Sequence, residues 1–263
     1  MKKRIISAIV ALAIVIPLLI KGEVYFSLGC AILSILALRE LLNLKQNTDK
    51  LPILVQLIAA ICTVFLVVTD KDSYSIFFGL TYRGLAINAL LLFAPVVFYK
   101  KNRYKAMDAL RLFAFTVFLG LVFNIFILIR NLGLYKFIYL LLITTMTDTF
   151  AYIFGSLIGK HKMCPSISPK KSWEGAILGS IMGTVISVSF YQLMISQINV
   201  KVVLVTLIFT VLGQIGDLFF SKIKRENDIK DFSNIMPGHG GILDRLDSLI
   251  FVSLAYVIFI SFI

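Results

Sequence analysis

Apolar residues fill long stretches of this 263-residue chain, and polar residues gather in short clusters between them. The apolar stretches cover 5–20, 24–38, 52–69, 85–99, 112–129, 137–157, 176–195, 202–220 and 248–263, with 73–82 as an extension of the fourth. A helix needs about 20 mainly apolar residues to cross a hydrocarbon core of about 30 Å. The pattern therefore predicts an all-α, polytopic integral membrane protein with about nine transmembrane helices. Pro17 and Pro95 fall inside spans, where membrane helices tolerate proline better than soluble ones do. No soluble domain, low-complexity linker or repeat of fixed period is visible in the series.

Composition sharpens this picture. Hydrophobic residues make up 59% of the chain and charged residues 15%, with a mean hydropathy of +0.93. A soluble domain is nearer ~45–50% apolar and ~25% charged, so an ordinary water-soluble enzyme, a disordered chain and a collagen-like chain are excluded. The net charge is +12. In a membrane protein such an excess is first a topology signal, and it gives no reason to expect a nucleic-acid partner. Twenty of the 26 Lys and Arg lie before the first span or after the second, fourth, sixth and eighth. Basic segments stay in the cytoplasm, so the N-terminus is expected inside and the C-terminus outside. The cluster Lys100, Lys101, Arg103 and Lys105 reads as topology and lipid-headgroup contact. Met1-Lys2-Lys3-Arg4 and the run behind it imitate a secretory signal, but Lys21, Gly22 and Glu23 lead straight into the next span. Residues 5–20 are therefore expected to be a retained helix. Three cysteines, Cys30, Cys62 and Cys164, make neither a disulfide framework nor a close metal-ligand pair.

The second half keeps polar groups that a pure scaffold would not need. Asp148 lies well inside the sixth span and shares a helical face with Tyr152, Gly155 and Gly159. A carboxylate at that depth faces either a polar cavity or a basic partner on another helix. The loop Ser168-Pro169-Lys170-Lys171-Ser172-Trp173-Glu174-Gly175 follows. Ser172 is placed to cap the next helix, and two lysines at a helix N-terminus make either a phosphate site or positive-inside charge. Gly175, Gly179 and Gly183 mark a close-packed face on the seventh span. The third stretch runs from Gly213-Gln214-Ile215-Gly216-Asp217 through Ser221, Lys224, Arg225, Lys230 and Asp231 to Pro237-Gly238-His239-Gly240-Gly241 and Asp244-Arg245-Leu246-Asp247. Asp244 and Asp247 are three apart and face the same way on a helix. With Asp217 they form an oxygen-rich set that suits Mg²⁺ and substrate phosphates; the alternative is a solvated, charged loop. His239 reads as a hydrogen-bonding loop residue. The chain thus divides into an N-terminal transmembrane scaffold, 1–136, and a transmembrane catalytic region, 137–263.

Ser221, Lys224, Arg225, Lys230, Asp231, Ser233, Pro237, His239, Gly240, Gly241, Asp244, Arg245 and Asp247 stand at a spacing that resembles the phosphatidate cytidylyltransferase family, also called CDP-diacylglycerol synthases. Met236 departs mildly from that pattern. The stretches at Asp148 and Ser168 also look like this family's. The resemblance implies that CTP and phosphatidic acid give CDP-diacylglycerol and pyrophosphate, with Mg²⁺ as cofactor. Carried over residue by residue, it implies metal binding at Asp217, Asp244, Asp247 and Asp148. It implies catalytic cations at Lys170, Lys171, Lys224, Arg225 and Arg245. Substrate contacts are implied at Ser168, Ser172, Ser221, Lys230, His239, Gly240 and Gly241. Partners would be CTP, phosphatidic acid and membrane lipids, in the inner cell membrane, with a homodimer left open. Two other activities suit pooled charge of this kind: a CTP-dependent lipid kinase, and a transporter of an anionic lipid.

Overall fold

The computed structural model describes residues 2–44, 51–68, 82–100 and 103–262. The expected extension over 73–82 lies, Tyr82 apart, outside these residues, as does Lys101. In chain order the helices are α1 (Lys2–Lys21), α2 (Glu23–Leu42), α3 (Ile53–Val68), α4 (Tyr82–Phe93), α5 (Pro95–Phe98), α6 (Ala106–Leu132) and α7 (Leu134–Ile158). A two-stranded hairpin, β1 (Lys162–Cys164) and β2 (Ser168–Ser172), precedes α8 (Trp173–Met194), α9 (Val200–Glu226) and α10 (Leu243–Phe259).

Among the described residues, six helices are long and apolar enough to cross a membrane: α2, α6, α7, α8, α9, and α10 with its final 3-10 turn. Three shorter apolar stretches, at 9–21, 53–68 and 82–98, correspond to the other three expected spans. The protein is an all-α, multi-pass membrane protein. Its outward side chains fit that environment, since Leu57, Ile61, Leu90, Ile177, Val185 and Leu204 are exposed and apolar. A helix that is apolar on its outer face as well as its inner one is solvated by lipid tails. Pro17 lies within α1 without ending it. Pro95 does interrupt the fourth span, because its ring lacks an N–H: α4 stops at Phe93 and α5 starts at the proline.

The described chain forms two compact units, one of Met1–Asn131 with Phe232–Ile242, the other of Leu132–Asp231 with Leu243–Ile263. In the first unit, Gly120 lets α6 meet α3 closely; a Cβ there would lie 2.5 Å from Leu66 Cβ. Polar side chains tie α6 to α4 and to α3. Asn88 Nδ2 donates to Thr116 Oγ1 at 2.9 Å, and Asn124 Nδ2 donates to the Val67 carbonyl at 3.0 Å. Such bonds suit a medium that offers no water to buried polar groups.

The second unit is built on a glycine seam between α7 and α8. A Cβ on Gly175 would come 2.6 Å from Ala151 O, one on Gly179 2.7 Å from Ala151 Cβ, and one on Gly183 would overlap Thr147 Oγ1. The close-packed face expected at these three glycines is therefore present, and its partner is α7. α9 joins α8 through Gln214 Nε2, which donates to Ser180 Oγ at 2.7 Å and to Ala176 O at 3.1 Å. α9 meets α10 at Gly216, where a Cβ would lie 2.7 Å from Asp247 O. Residues expected as a plain loop from Ser168 to Ser172 instead form the second strand of the hairpin, antiparallel to β1, with Lys162 opposite Ser172 and Cys164 opposite Ser168.

Candidate active site

Where the hairpin meets the ends of α7, α9 and α10, the second unit lines an open cavity of about 720 Å³. That volume is within the usual ~300–1,000 Å³ of small-ligand sites. Its lining is unusually charged: Lys162, Lys170, Lys171, Lys224 and Arg245 face Asp148, Asp217, Asp231, Asp244 and Asp247. Tyr152, Gly155, Ser156, Gly159, Ser172 and Gln214 complete much of the wall.

Local structure explains why each charge stands there. Ser172 caps α8, its Oγ accepting the Gly175 N–H at 3.2 Å, which ends β2 and sets Lys170 and Lys171 just before a helix N-terminus. The hairpin closes at its base through Trp173 N–H donating to His161 O at 3.0 Å, and through His161 Nδ1 lying 2.6 Å from Glu174 Oε1. Arg225 holds the far end, its Nε donating to Ile167 O at 3.2 Å. The lysines are thus carried on a pinned hairpin.

Two ion pairs bridge the wall. Lys171 Nζ lies 2.5 Å from Asp217 Oδ2, a charge contact without hydrogen-bond direction. Lys224 Nζ donates to Asp244 Oδ1 at 2.6 Å, with 11% and 2% of the two side chains exposed. Asp148 and Asp247 are close enough to Asp217 for the charges to interact, and Asp148 Oδ2 accepts a long hydrogen bond from Ser248 Oγ at 3.4 Å. Ser221 Oγ donates to Asp217 Oδ1 at 3.2 Å, and Ser248 N–H donates to Asp247 Oδ1 at 2.8 Å. Like charges crowded at membrane depth call for cations among them, and the lysines supply part of that.

Of the expected site residues, Asp148, Asp217, Asp244, Asp247, Lys170, Lys171, Lys224, Arg245 and Ser172 line this one cavity. Ser221 reaches it only through Asp217. Ser168, Arg225 and Lys230 do not line it, and Arg225 spends its guanidinium on the Ile167 and Ile229 carbonyls. His239, Gly240 and Gly241 belong to the first unit. Lys162, Asp231 and Gln214 also line the wall; the sequence pattern includes Asp231 and Gln214 without a role for either and leaves Lys162 out. Lys162 had no signal of its own because only the hairpin pairing brings it opposite Ser172. Gln214 had one, being an amide inside an apolar span.

Among the described residues, no three His, Cys, Asp or Glu side chains close on one point as a preformed metal site. The donor chemistry nevertheless suits Mg²⁺. It is a hard ion that keeps several waters and takes one or two carboxylates together with substrate phosphates, so an open carboxylate set fits it.

Comparison with known proteins bears on this geometry. The pattern of the Cytidylyltransferase family matches residues 2–263. A phosphatidate cytidylyltransferase of Staphylococcus aureus (strain COL) is 37% identical over 257 residues, covering 96% of each chain. Proteins of the same name from Staphylococcus haemolyticus (strain JCSC1435) and Staphylococcus epidermidis (strain ATCC 12228 / FDA PCI 1200) are each 36% identical over 253 residues, again with 96% of each chain covered.

Proposed function

The chain belongs to the cytidylyltransferase family, and we infer that it transfers CMP from CTP to phosphatidic acid, releasing CDP-diacylglycerol and pyrophosphate. The observation that carries the reading is the cavity itself: five cations and five carboxylates around one volume in a multi-pass membrane protein. Both substrates bring phosphate, and one of them is a lipid.

A phosphate monoester has a second pKa of about 6, so the headgroup of phosphatidic acid is largely dianionic at neutral pH. An oxygen of that group attacks the α-phosphorus of CTP. The new bond joins lipid phosphate to CMP, and the bond between the α-phosphorus and the bridging oxygen breaks, with pyrophosphate leaving. No side chain need remove a proton. The chain's task is to bring two anions together and to neutralise the charge that gathers on the leaving group. Lys170, Lys171, Lys162 and Arg245 suit the phosphates by charge and placement. Lys224 keeps Asp244 in place. Asp217, Asp247 and Asp148, with Asp244 beside Lys224, are the residues that would hold Mg²⁺. When bound, the ion would screen the phosphate oxygens from each other.

In this reading the cavity opens toward the cytoplasm, where CTP is, and the protein resides in the inner cell membrane. The positive-inside distribution of Lys and Arg supports that orientation. Every described residue that lines the cavity belongs to the second unit.

Labelled CTP tests the reading. Purified protein with phosphatidic acid and Mg²⁺ should move α-phosphate label into the lipid and release γ-label as pyrophosphate. A lipid kinase would move γ-label into the lipid, and a transporter would move neither. Either result would refute the proposed reaction.

A further inference from the structure

The glycine-rich segment 232–242 is tied down within its own unit, and the principal tie is a carboxyl group on α2. Glu40 is 1% exposed. Its Oε1 accepts Ser233 Oγ at 2.6 Å and the Ile242 N–H at 2.8 Å, so one oxygen receives both ends of the segment. Between those ends, Met236 and Gly240 pair as an antiparallel bridge, and Gly238 and Gly240 take φ of +80° and +88°. Those angles suit glycine. Gly241 is needed for a different reason: a Cβ there would lie 2.7 Å from Glu40 Cδ and 2.8 Å from Oε2. The segment's tip is held as well. Ser7 Oγ donates to Pro237 O at 3.0 Å and lies 2.8 Å from His239 Nδ1.

A carboxyl group buried in an apolar helix is costly unless its acceptors are used. Helix packing alone would be served by an apolar side chain. Here the segment needs an acceptor at one point, and the residue after Ile242 is Leu243, the first of α10. Asp244, Arg245 and Asp247 follow in the opening turns of that helix, and all three line the cavity.

We propose that Glu40 is a positioning residue for the nucleotidyl transfer: by gathering Ser233 Oγ and the Ile242 N–H on one oxygen, it sets where α10 begins. Asp244, Arg245 and Asp247 come two, three and five residues after Ile242 along the chain. The proposal rests on the reaction inferred above. In this proposal Glu40 acts through the segment it holds.

The test compares Glu40→Ala, Glu40→Gln, Ser233→Ala and Gly241→Ala with the unaltered protein in detergent. Each is measured per folded molecule for kcat, for KM of CTP and for the Mg²⁺ concentration giving half-maximal rate. Glu40→Ala should lower kcat about tenfold to a hundredfold, the scale on which small misplacements of reacting groups act, and should raise the Mg²⁺ requirement. Glu40→Gln keeps an acceptor oxygen in nearly the same place and should stay within about threefold of the unaltered protein, since a neutral hydrogen bond differs modestly from a charged one. Gly241→Ala keeps the carboxyl group but displaces it, and should follow Glu40→Ala. Hydrogen exchange across 232–247 should quicken in both, whatever substrates are present. A Glu40→Ala protein with unchanged kcat and Mg²⁺ requirement, however much less stable, would overturn the proposal. So would a Glu40→Gln protein as inactive as Glu40→Ala, which would mean that charge rather than position matters. Should Glu40→Ala fail to fold, unchanged kcat in Ser233→Ala and Gly241→Ala would overturn it equally. Failure of the unaltered protein to make CDP-diacylglycerol would instead overturn the reaction itself.

Discussion

Lys224 and Asp244 invite a test in which stability and activity should part company. Their contact is 2.6 Å, with almost all of both side chains buried. At an effective dielectric of about 20 the attraction at that distance is about 6 kcal/mol. Withdrawing two ions from water costs several kcal/mol each, so the pair as a whole adds little to stability. Removing one member is different, because the other keeps its desolvation cost without the attraction. Lys224→Met should therefore destabilise the protein by about 3–5 kcal/mol, and Asp244→Leu by a similar amount. In a thermal melt that is a fall on the order of 10 °C. The double variant Lys224→Met/Asp244→Leu, in which neither charge remains, should recover most of the loss; Leu branches at Cγ as Asp does. It should nevertheless make no CDP-diacylglycerol, because both side chains line the cavity. The assay is a melt in detergent paired with α-label transfer on the same preparations. A double variant no more stable than the worse single one would refute the desolvation argument. A stable and fully active double variant would refute the assignment of this pair to the site.

Asp217→Asn and Asp247→Asn should each remove most α-label transfer and flatten its Mg²⁺ dependence while melting stays near that of the unaltered protein; full activity in either would remove that residue from the metal set. Gly179→Val should lower the melting temperature steeply, by more than the roughly 1–3 kcal/mol of ordinary overpacking, because the atoms in the way include Ala151 backbone 2.8 Å from the added Cβ; Ile177→Ala on the exposed face of the same helix should cost far less, and equal losses would contradict the seam. Cys164, half-buried in β1, should react with an impermeant thiol reagent in inverted vesicles and not in right-side-out ones, and the reverse result would invert the topology.

The membrane helices were readable in the chain because their signal is local. An apolar run long enough to span is its own evidence, and lipid-facing side chains reinforce it where a soluble fold would turn polar. The α7–α8 seam was readable for a related reason: three glycines at i, i+4 and i+8 permit close approach whatever the partner, although which helix approaches is a tertiary fact. The Ser172 cap was legible from one hydroxyl before a helix. The hairpin was not. Its strands are short, prolines stand at 165 and 169, and Lys170 and Lys171 read equally well as topology charge. Only the pairing of Lys162 with Ser172, and the hold of Arg225 on Ile167 O, turn that stretch into a rigid carrier of cations.

Glu40 carries no local signal in the sequence. It stands in Arg39-Glu40 at the end of an apolar run, beside a basic residue, in the half of the chain that reads as scaffold. Nothing nearby distinguishes it from an interfacial charge. Its meaning comes from Ser233 and Ile242, about two hundred residues away, and no periodicity reaches that far. The segment that leads into α10 folds with the N-terminal unit, while the residues immediately after it line the cavity of the other. A membrane enzyme that must aim charged side chains at two anions has few rigid, polar anchors within the bilayer. A buried carboxyl group that accepts both ends of one tight segment is such an anchor.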